Sequence, residues 1–263
     1  MPRPGDRAGD AAALLRHGVV AVPLAGGPAE LSLWLIDGSR PLPAATLALL
    51  SVTERERSTR FRTAALRGRY VAAHAALRLL AERRFGVLAA CQRWQADALG
   101  KPRLADVPTA QCSLSYAAGR ALIAWSEGGE VGVDIEALRP IADVAELATI
   151  HYTPAERGAL AALEADSAAF DHAFLTVWVR KEACVKALGE GLRIPLDTVQ
   201  CGSQNRNVPV QVGDRVLDIG GIDPASGFVA AWARCRRSAL LGAEPTGGRI
   251  TSPRASRAAA LCE

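Results

Sequence analysis

The 263-residue chain is poor in aromatic residues, which make up 5% of it, and holds one methionine and four histidines. The histidines, His17, His74, His151 and His172, are scattered without ligand spacing and read as structural. No C-x-x-C pair occurs among the six cysteines, Cys91, Cys112, Cys184, Cys201, Cys235 and Cys262, and none has a histidine at zinc-finger spacing. They read as small core residues of a protein kept in a reducing compartment. A long apolar run is missing too. The longest stretch, Gly18 to Ala29, is broken by Pro23 and falls short of the ~18 residues a membrane span needs. Asp6, Asp10, Arg16 and His17 interrupt any signal-peptide core. The expectation is a cytoplasmic monomer with no membrane partner. Charge is nearly balanced, with 31 Lys+Arg against 27 Asp+Glu, a net charge of +4. That is too little to make nucleic acid the default partner, although it suits a small anionic ligand gripped by arginine. What is present is ordinary for a globular chain, 49% hydrophobic and 22% charged residues, at a length that allows one large domain or two small ones.

Patterning predicts an irregular mixture of helix and strand, an α+β fold. Residues 1–30 lack a sustained period and read as a loosely ordered lead-in. Leu31 to Ile36 alternates as a strand. Thr53, with Glu56 three residues on, predicts a helix over 54–66, and a second helix follows over 69–84 with Tyr70, His74, Leu77 and Ala81 on one stripe. Arg55, Arg57, Arg60, Arg62, Arg67 and Arg69 make 55–69 the most basic stretch; it lacks the interleaved aromatics of an RNA-binding surface. A hairpin is predicted over 111–126, a short strand over 131–136, a helix opened by Thr153-Pro154-Ala155-Glu156, and a longer one from Ser167 to a glycine stop at Gly189. Two or three strands follow over 198–235, with turns at Gly202-Ser203 and Gly220-Gly221. The expected organisation is the lead-in (1–30), an N-terminal α+β half (31–129), a C-terminal α+β half (130–242) and a flexible tail (243–263).

Two clusters could carry chemistry. In Gly132-Val-Asp-Ile-Glu136, strand alternation sends Val131, Val133 and Ile135 to the core. Asp134 and Glu136 share the other face with Gly132, which leaves room there for a ligand. Two carboxylates on one face suit a hard cation such as Mg²⁺ that also holds phosphate oxygens; they also suit the wet face of a half-buried strand. On the helix ending at Gly189, Trp178, Glu182 and Lys186 recur every four residues, with Lys181 flanking them. Glu182 before Lys186 is the order of a simple surface ion pair. It is equally a carboxylate and an ammonium within reach of the first cluster.

GVDIE, followed some forty residues later by W-x-x-K-E-A-x-x-K-A-x-G-x-G-L, resembles the paired signature of the 4′-phosphopantetheinyl transferases of the surfactin-synthetase-activating (Sfp) type. SVTERERSTRF (51–61), Gly100-Lys101-Pro102, CSLSYAAG (112–119) and GEGLRIPL (189–196) resemble further family segments, so the likeness runs over about 31–235. It implies two similar α+β halves related by a pseudo-twofold, with coenzyme A between them. The activity implied is Mg²⁺-dependent transfer of 4′-phosphopantetheine from coenzyme A to a serine of an apo acyl or peptidyl carrier protein, in fatty-acid, polyketide or peptide synthesis. Asp134, Glu136 and Glu182 would hold Mg²⁺, with Glu182 also the best candidate for the base, direct or through water. Lys186 would stabilise the diphosphate, and Lys101 and Ser115 would line the phosphate pocket. Arg57, Tyr70 and neighbouring Arg69 would grip the 3′-phosphate and adenine end. Three departures stand out: Glu190 replaces a frequent lysine in the G-x-G turn, Tyr116 replaces a usual histidine, and Glu54 stands where the family is often basic. They leave open an alternative, a protein of the same fold that binds coenzyme A or a carrier with weakened catalysis.

Overall fold

The computed structural model describes residues 6–236 apart from 128, 165, 166 and 205. The fold is mixed α+β. One four-stranded antiparallel sheet has the order β1-β2-β6-β5, formed by β1 (Val20–Leu24), β2 (Leu31–Asp37), β5 (Gln111–Ala117) and β6 (Arg120–Ser126). The other has the order β7-β10-β9-β8, formed by β7 (Val131–Ala137), β8 (Val208–Val212), β9 (Arg215–Ile222) and β10 (Phe228–Cys235). A small ribbon joins β3 (Trp94–Ala96) to β4 (Pro102–Leu104). The helices are α1 (Arg7–Leu15), α2 (Val52–Thr59), α3 (Ala64–Phe85), α4 (Val144–His151), α5 (Pro154–Ala161) and α6 (Ala168–Leu188).

Three cores hold these layers. Helix α3 lies on the first sheet, burying Val71, Ala72, Ala75, Leu79 and their neighbours against Trp34, Ile36, Ile123 and Trp125. Helix α6 lies on the second, with Phe174, Val177, Ala183 and Ala187 against Leu217, Ile219, Ala231 and Ala233. The third core joins the sheets through Leu33, Leu35, Leu122, Val131, Val133, Ile135 and Trp232. Burying apolar area at about 25 cal/mol per Å² on both faces of each sheet explains why their central strands carry near-continuous apolar runs. Both long helices stop at a left-handed glycine, Gly86 (φ 75°) after α3 and Gly189 (φ 69°) after α6.

Several expectations change. Residues 6–30 are not a loose lead-in: Asp6 caps α1, and β1 pairs with β2 from Val20↔Asp37 to Leu24↔Leu33. Pro23 is tolerated because β1 is an edge strand. The first basic helix is capped by Ser51 rather than Thr53, in a capping box closed by Glu54 rather than Glu56, and it ends at Thr59; Thr63 then caps α3. Gly220 and Gly221 lie within β9, not in a turn; a Cβ on Gly220 would sit 2.1 Å from Asn207 Oδ1 and 2.7 Å from the Trp232 indole nitrogen. The predicted tail, 243–263, lies outside the described residues, as does Cys262. The other five cysteines carry free thiols. No helix among the described residues is long and apolar enough to cross a membrane.

Candidate active site

The site forms where the two sheets meet edge to edge, β5 against β7. Val133 donates its amide to Ser113 Oγ at 3.1 Å, and Ser115 Oγ donates to Asp134 Oδ1 at 2.7 Å. Alternation along β7 does send Val131, Val133 and Ile135 inward, where they are 0–1% exposed. The opposite face is not open to a ligand at Gly132, however. A Cβ there would lie 2.0 Å from the Ala183 carbonyl oxygen and 2.3 Å from the Ala187 nitrogen, so Gly132 makes room for the backbone of α6. This close approach brings the second cluster to the first.

Lys186, from α6, donates to Asp134 Oδ1 at 2.6 Å and reaches Ser115 Oγ at 3.2 Å. Asp134 is only 5% exposed, and its second oxygen, Oδ2, is buried without a hydrogen-bond partner among the described residues. Such an orphan is costly unless something occupies it. Glu136 and Glu182 act electrostatically on this pair. Burial, reinforced by the Asp134 charge and by Glu182, raises the pKa of Glu136. Glu182 is raised by burial and by Asp134, against the opposing pull of Lys186. Burial disfavours the Lys186 ammonium, but Asp134, Glu182 and Glu136 outweigh it and its pKa rises. Glu136 reaches Arg139 at 3.5 Å, whereas Glu182 receives no hydrogen bond from the described residues.

Among the described residues no three His, Cys, Asp or Glu side chains are drawn into a finished metal cage. Mg²⁺ commonly takes one or two carboxylates and completes its shell with water and substrate phosphate. An unmet carboxylate oxygen on Asp134, beside two further carboxylates held in one another's fields, fits that kind of ion.

The basic end lies on α2 and α3. Arg57, Arg60, Phe61, Thr53 and Glu56 line a shallow groove of about 410 Å³. The Arg57 guanidinium stands 5.7 Å from the Tyr70 ring centre, and Arg69 stands 5.2 Å from that of Tyr116. Tyr70 is buried between Phe61 and His74, with ring centres at 5.1 and 4.0 Å. Tyr116 has a buried hydroxyl without a partner among the described residues, and burial pushes its pKa up.

Two residues take unexpected places. Lys101 donates to Glu130 at 2.6 Å and to the Ala187 carbonyl at 3.2 Å, tying the β3–β4 ribbon to the end of α6. Glu54 does not oppose a phosphate grip in the groove. It turns inward, accepting the Ser51 amide at 2.8 Å, Arg78 Nε at 2.8 Å and a contact from His74 Nδ1 at 2.9 Å. Burial pushes the Glu54 pKa up, but His74, the Ser51 amide and Arg78 prevail and hold it at about 2, below the usual 4.5. Glu130, which pairs with both Lys101 and Arg103, was not legible in the sequence, because a single glutamate after two glycines matches no pattern.

The inward turn of Glu54 has a measurable consequence. A carboxylate whose pKa is depressed by folding contributes stability above its unfolded value, and the contribution disappears as pH falls through the folded one. The shift from 4.5 to about 2 is worth about 3 kcal/mol. Glu54→Gln is therefore expected to lower unfolding free energy at pH 7 by about 2–3 kcal/mol. The gap to the wild type should close between pH 4.5 and 2, as read by urea melts across that range; a gap independent of pH would contradict the assignment.

The family model described as the 4′-phosphopantetheinyl transferase superfamily matches residues 130–218, the segment that carries β7, α6 and all three carboxylates. A protein of Synechocystis sp. named as a putative 4′-phosphopantetheinyl transferase is 30% identical over 169 residues, covering 64% of this chain and 68% of the relative. The 4′-phosphopantetheinyl transferase HetI of Nostoc sp. is 30% identical over 168 residues, 62% of this chain and 70% of the relative. The 4′-phosphopantetheinyl transferase Sfp of Bacillus subtilis is 33% identical over 106 residues, 40% of this chain and 45% of the relative. The chain belongs to the 4′-phosphopantetheinyl transferase superfamily and is an enzyme of that family.

Proposed function

We propose that this enzyme transfers the 4′-phosphopantetheine group of coenzyme A, in the presence of Mg²⁺, to the serine hydroxyl of an apo carrier protein. The observation that carries the reading is the buried Oδ2 of Asp134, unmet among the described residues, beside Lys186 and within the fields of two carboxylates whose charge burial disfavours. Asp134, Glu136 and Glu182 would hold the ion. Mg²⁺, when bound, offsets charge on the diphosphate and orients it for displacement. The chain's own groups do the rest. Glu182, with its raised pKa and no hydrogen bond from the described residues, accepts the proton of the carrier serine. The serine oxygen bonds to the phosphorus that bears pantetheine, and the diphosphate P–O bond breaks. 3′,5′-Adenosine bisphosphate departs with the bonding electrons, its charge countered by Lys186. At the other end Arg57, Arg69 and Tyr70 hold the 3′-phosphate and adenine. Exposed arginines on this surface also favour an acidic carrier.

Incubation with coenzyme A, Mg²⁺ and apo fatty-acid, polyketide and peptide carrier proteins in parallel tests the reading. At least one carrier should gain the mass of one phosphopantetheine. Coenzyme A binding with no mass gain on any carrier would favour the binding-only alternative.

Tyr116 gives a finer check. Its hydroxyl is buried without a partner among the described residues, a cost of about 1–3 kcal/mol in the free protein. Tyr116→Phe should therefore leave the Tm unchanged or higher. If the hydroxyl finds a phosphate when coenzyme A binds, calorimetry should show a several-fold weaker Kd for the same variant. A lowered Tm would mean that the hydroxyl is bonded in the free protein.

A further inference from the structure

The chain has only three lysines, and none is free on the surface: Lys101 ties the ribbon to α6, Lys186 meets Asp134, and Lys181 is 0% exposed. Helical spacing sets Lys181 beside Trp178; the fold instead turns it into the protein. Its ammonium has three N–H donors and three oxygen acceptors, Leu196 O at 2.7 Å, Val199 O at 2.6 Å and Glu156 Oε2 at 2.7 Å. Glu156 is equally committed. Its Oε2 also accepts the Thr153 amide at 3.0 Å, and its Oε1 accepts the amides of Cys201 at 2.8 Å and Gly202 at 3.0 Å. One buried ion pair thus fastens the start of α5, the segment 196–202 and the middle of α6.

Such a pair is a poor device for stability alone, because apolar residues of similar volume often serve as well or better. What it does supply is a fixed geometry, and its place in the sequence says for what. Lys181 immediately precedes Glu182, about 100° away around the helix. Glu182 receives no hydrogen bond from the described residues, so its carboxylate is aimed chiefly by the position and rotation of α6. On the β7 side that helix is seated by the close contact at Gly132, and on another side it is held by Lys181. We propose that Lys181 and Glu156 form a positioning pair that sets the rotation of α6, placing Glu182 and Lys186 for transfer without touching coenzyme A. The inference rests on the proposed function for its kinetic consequence, though not for its structural one.

Removing one partner alone would strand a buried charge, so the double variant Lys181→Met with Glu156→Gln is the working probe, beside Lys181→Met alone. The double variant should fold. Its KM and Kd for coenzyme A should stay within about threefold of the wild type while kcat falls about 10–100-fold, since a displacement of about 1 Å can cost that much. A second readout needs no activity. With three lysines, ¹³C-lysine spectra resolve each side chain, and the Lys186 Cε signal should move in the double variant as its contact with Asp134 alters. A kcat per folded molecule within twofold of the wild type, with an unmoved Lys186 signal, would overturn the proposal. So would equal losses in kcat and coenzyme A affinity, which would put Lys181 in binding. A wild-type protein that transfers nothing would defeat the proposed function instead, and the Lys186 signal would still decide whether the pair positions α6.

Discussion

Asp134→Asn is expected to lower transfer about 10³-fold while the protein stays folded. The side chain is 5% exposed, and Oδ1 already takes Ser115 and Lys186 at 2.7 and 2.6 Å. Asparagine keeps an oxygen for those contacts. It replaces the orphan Oδ2 by an amide nitrogen, which turns two donors toward the proposed cation position. A loss of 10³ corresponds to about 4 kcal/mol of barrier, in the range expected when one charge-stabilising group is removed from a water-poor site. Stability should change little. Lys186 retains Glu182 and Glu136 as neighbouring charges, and one member of a mutually repelling carboxylate cluster is removed. Thermal melts should therefore agree within a few degrees. Near-normal turnover in a folded variant would remove Asp134 from the chemistry; an unfolded variant would make its role structural.

Gly132→Ala is expected to cost both stability and turnover, by a different route. The new methyl would meet three backbone atoms of α6, Ala183 O at 2.0 Å, Ala187 N at 2.3 Å and Lys186 C at 2.9 Å. No rotamer can relieve a clash with backbone. Either α6 retreats from β7 or β7 shifts in its sheet, and overpacking of this kind typically costs 1–3 kcal/mol or more. The helix that would move carries Glu182 and Lys186, so kcat per folded molecule should fall about 100-fold as well. Gly158→Ala serves as the control. Gly158 is exposed on α5 with nothing within 4 Å of an added Cβ, and the change should stabilise by up to about 1 kcal/mol without altering transfer. Urea melts with transfer assays on both variants would separate the effects. Equal behaviour of the two alanines would show that α6 does not rest on Gly132.

What could be read in advance was what local rules determine. The alternation in VGVDIEA gave the inward face of β7 correctly, and the capping box at Thr153 and Glu156 lies within four residues. Where a local rule fits twice, it could not choose. Ser51-x-x-Glu54 and Thr53-x-x-Glu56 are both capping boxes on paper. The fold selects the first, in which Glu54 also meets Arg78 and His74 from α3, twenty and more residues away. Alternation likewise tells which residues share the face of Gly132 but not what covers it, and the backbone of α6 arrives from fifty residues on. The same limit applies to Lys181. Helical spacing places it around the axis, and only the packing of α5 and segment 196–202 makes that side the interior. Strand β1 escapes local rules because residues 1–30 show no sustained period, and its pairing with β2 is what makes it a strand.

The claim on which the rest depends is that Asp134, Glu136 and Glu182 act as one cation site completed by the diphosphate of coenzyme A. Mn²⁺ can replace Mg²⁺ as a probe, with binding to the protein–coenzyme A complex followed by electron paramagnetic resonance. The account predicts one bound Mn²⁺ per chain that depends on coenzyme A, weakened at least tenfold in each of Asp134→Asn, Glu136→Gln and Glu182→Gln. Unchanged Mn²⁺ binding in Glu182→Gln and Asp134→Asn, with both variants folded, would contradict it.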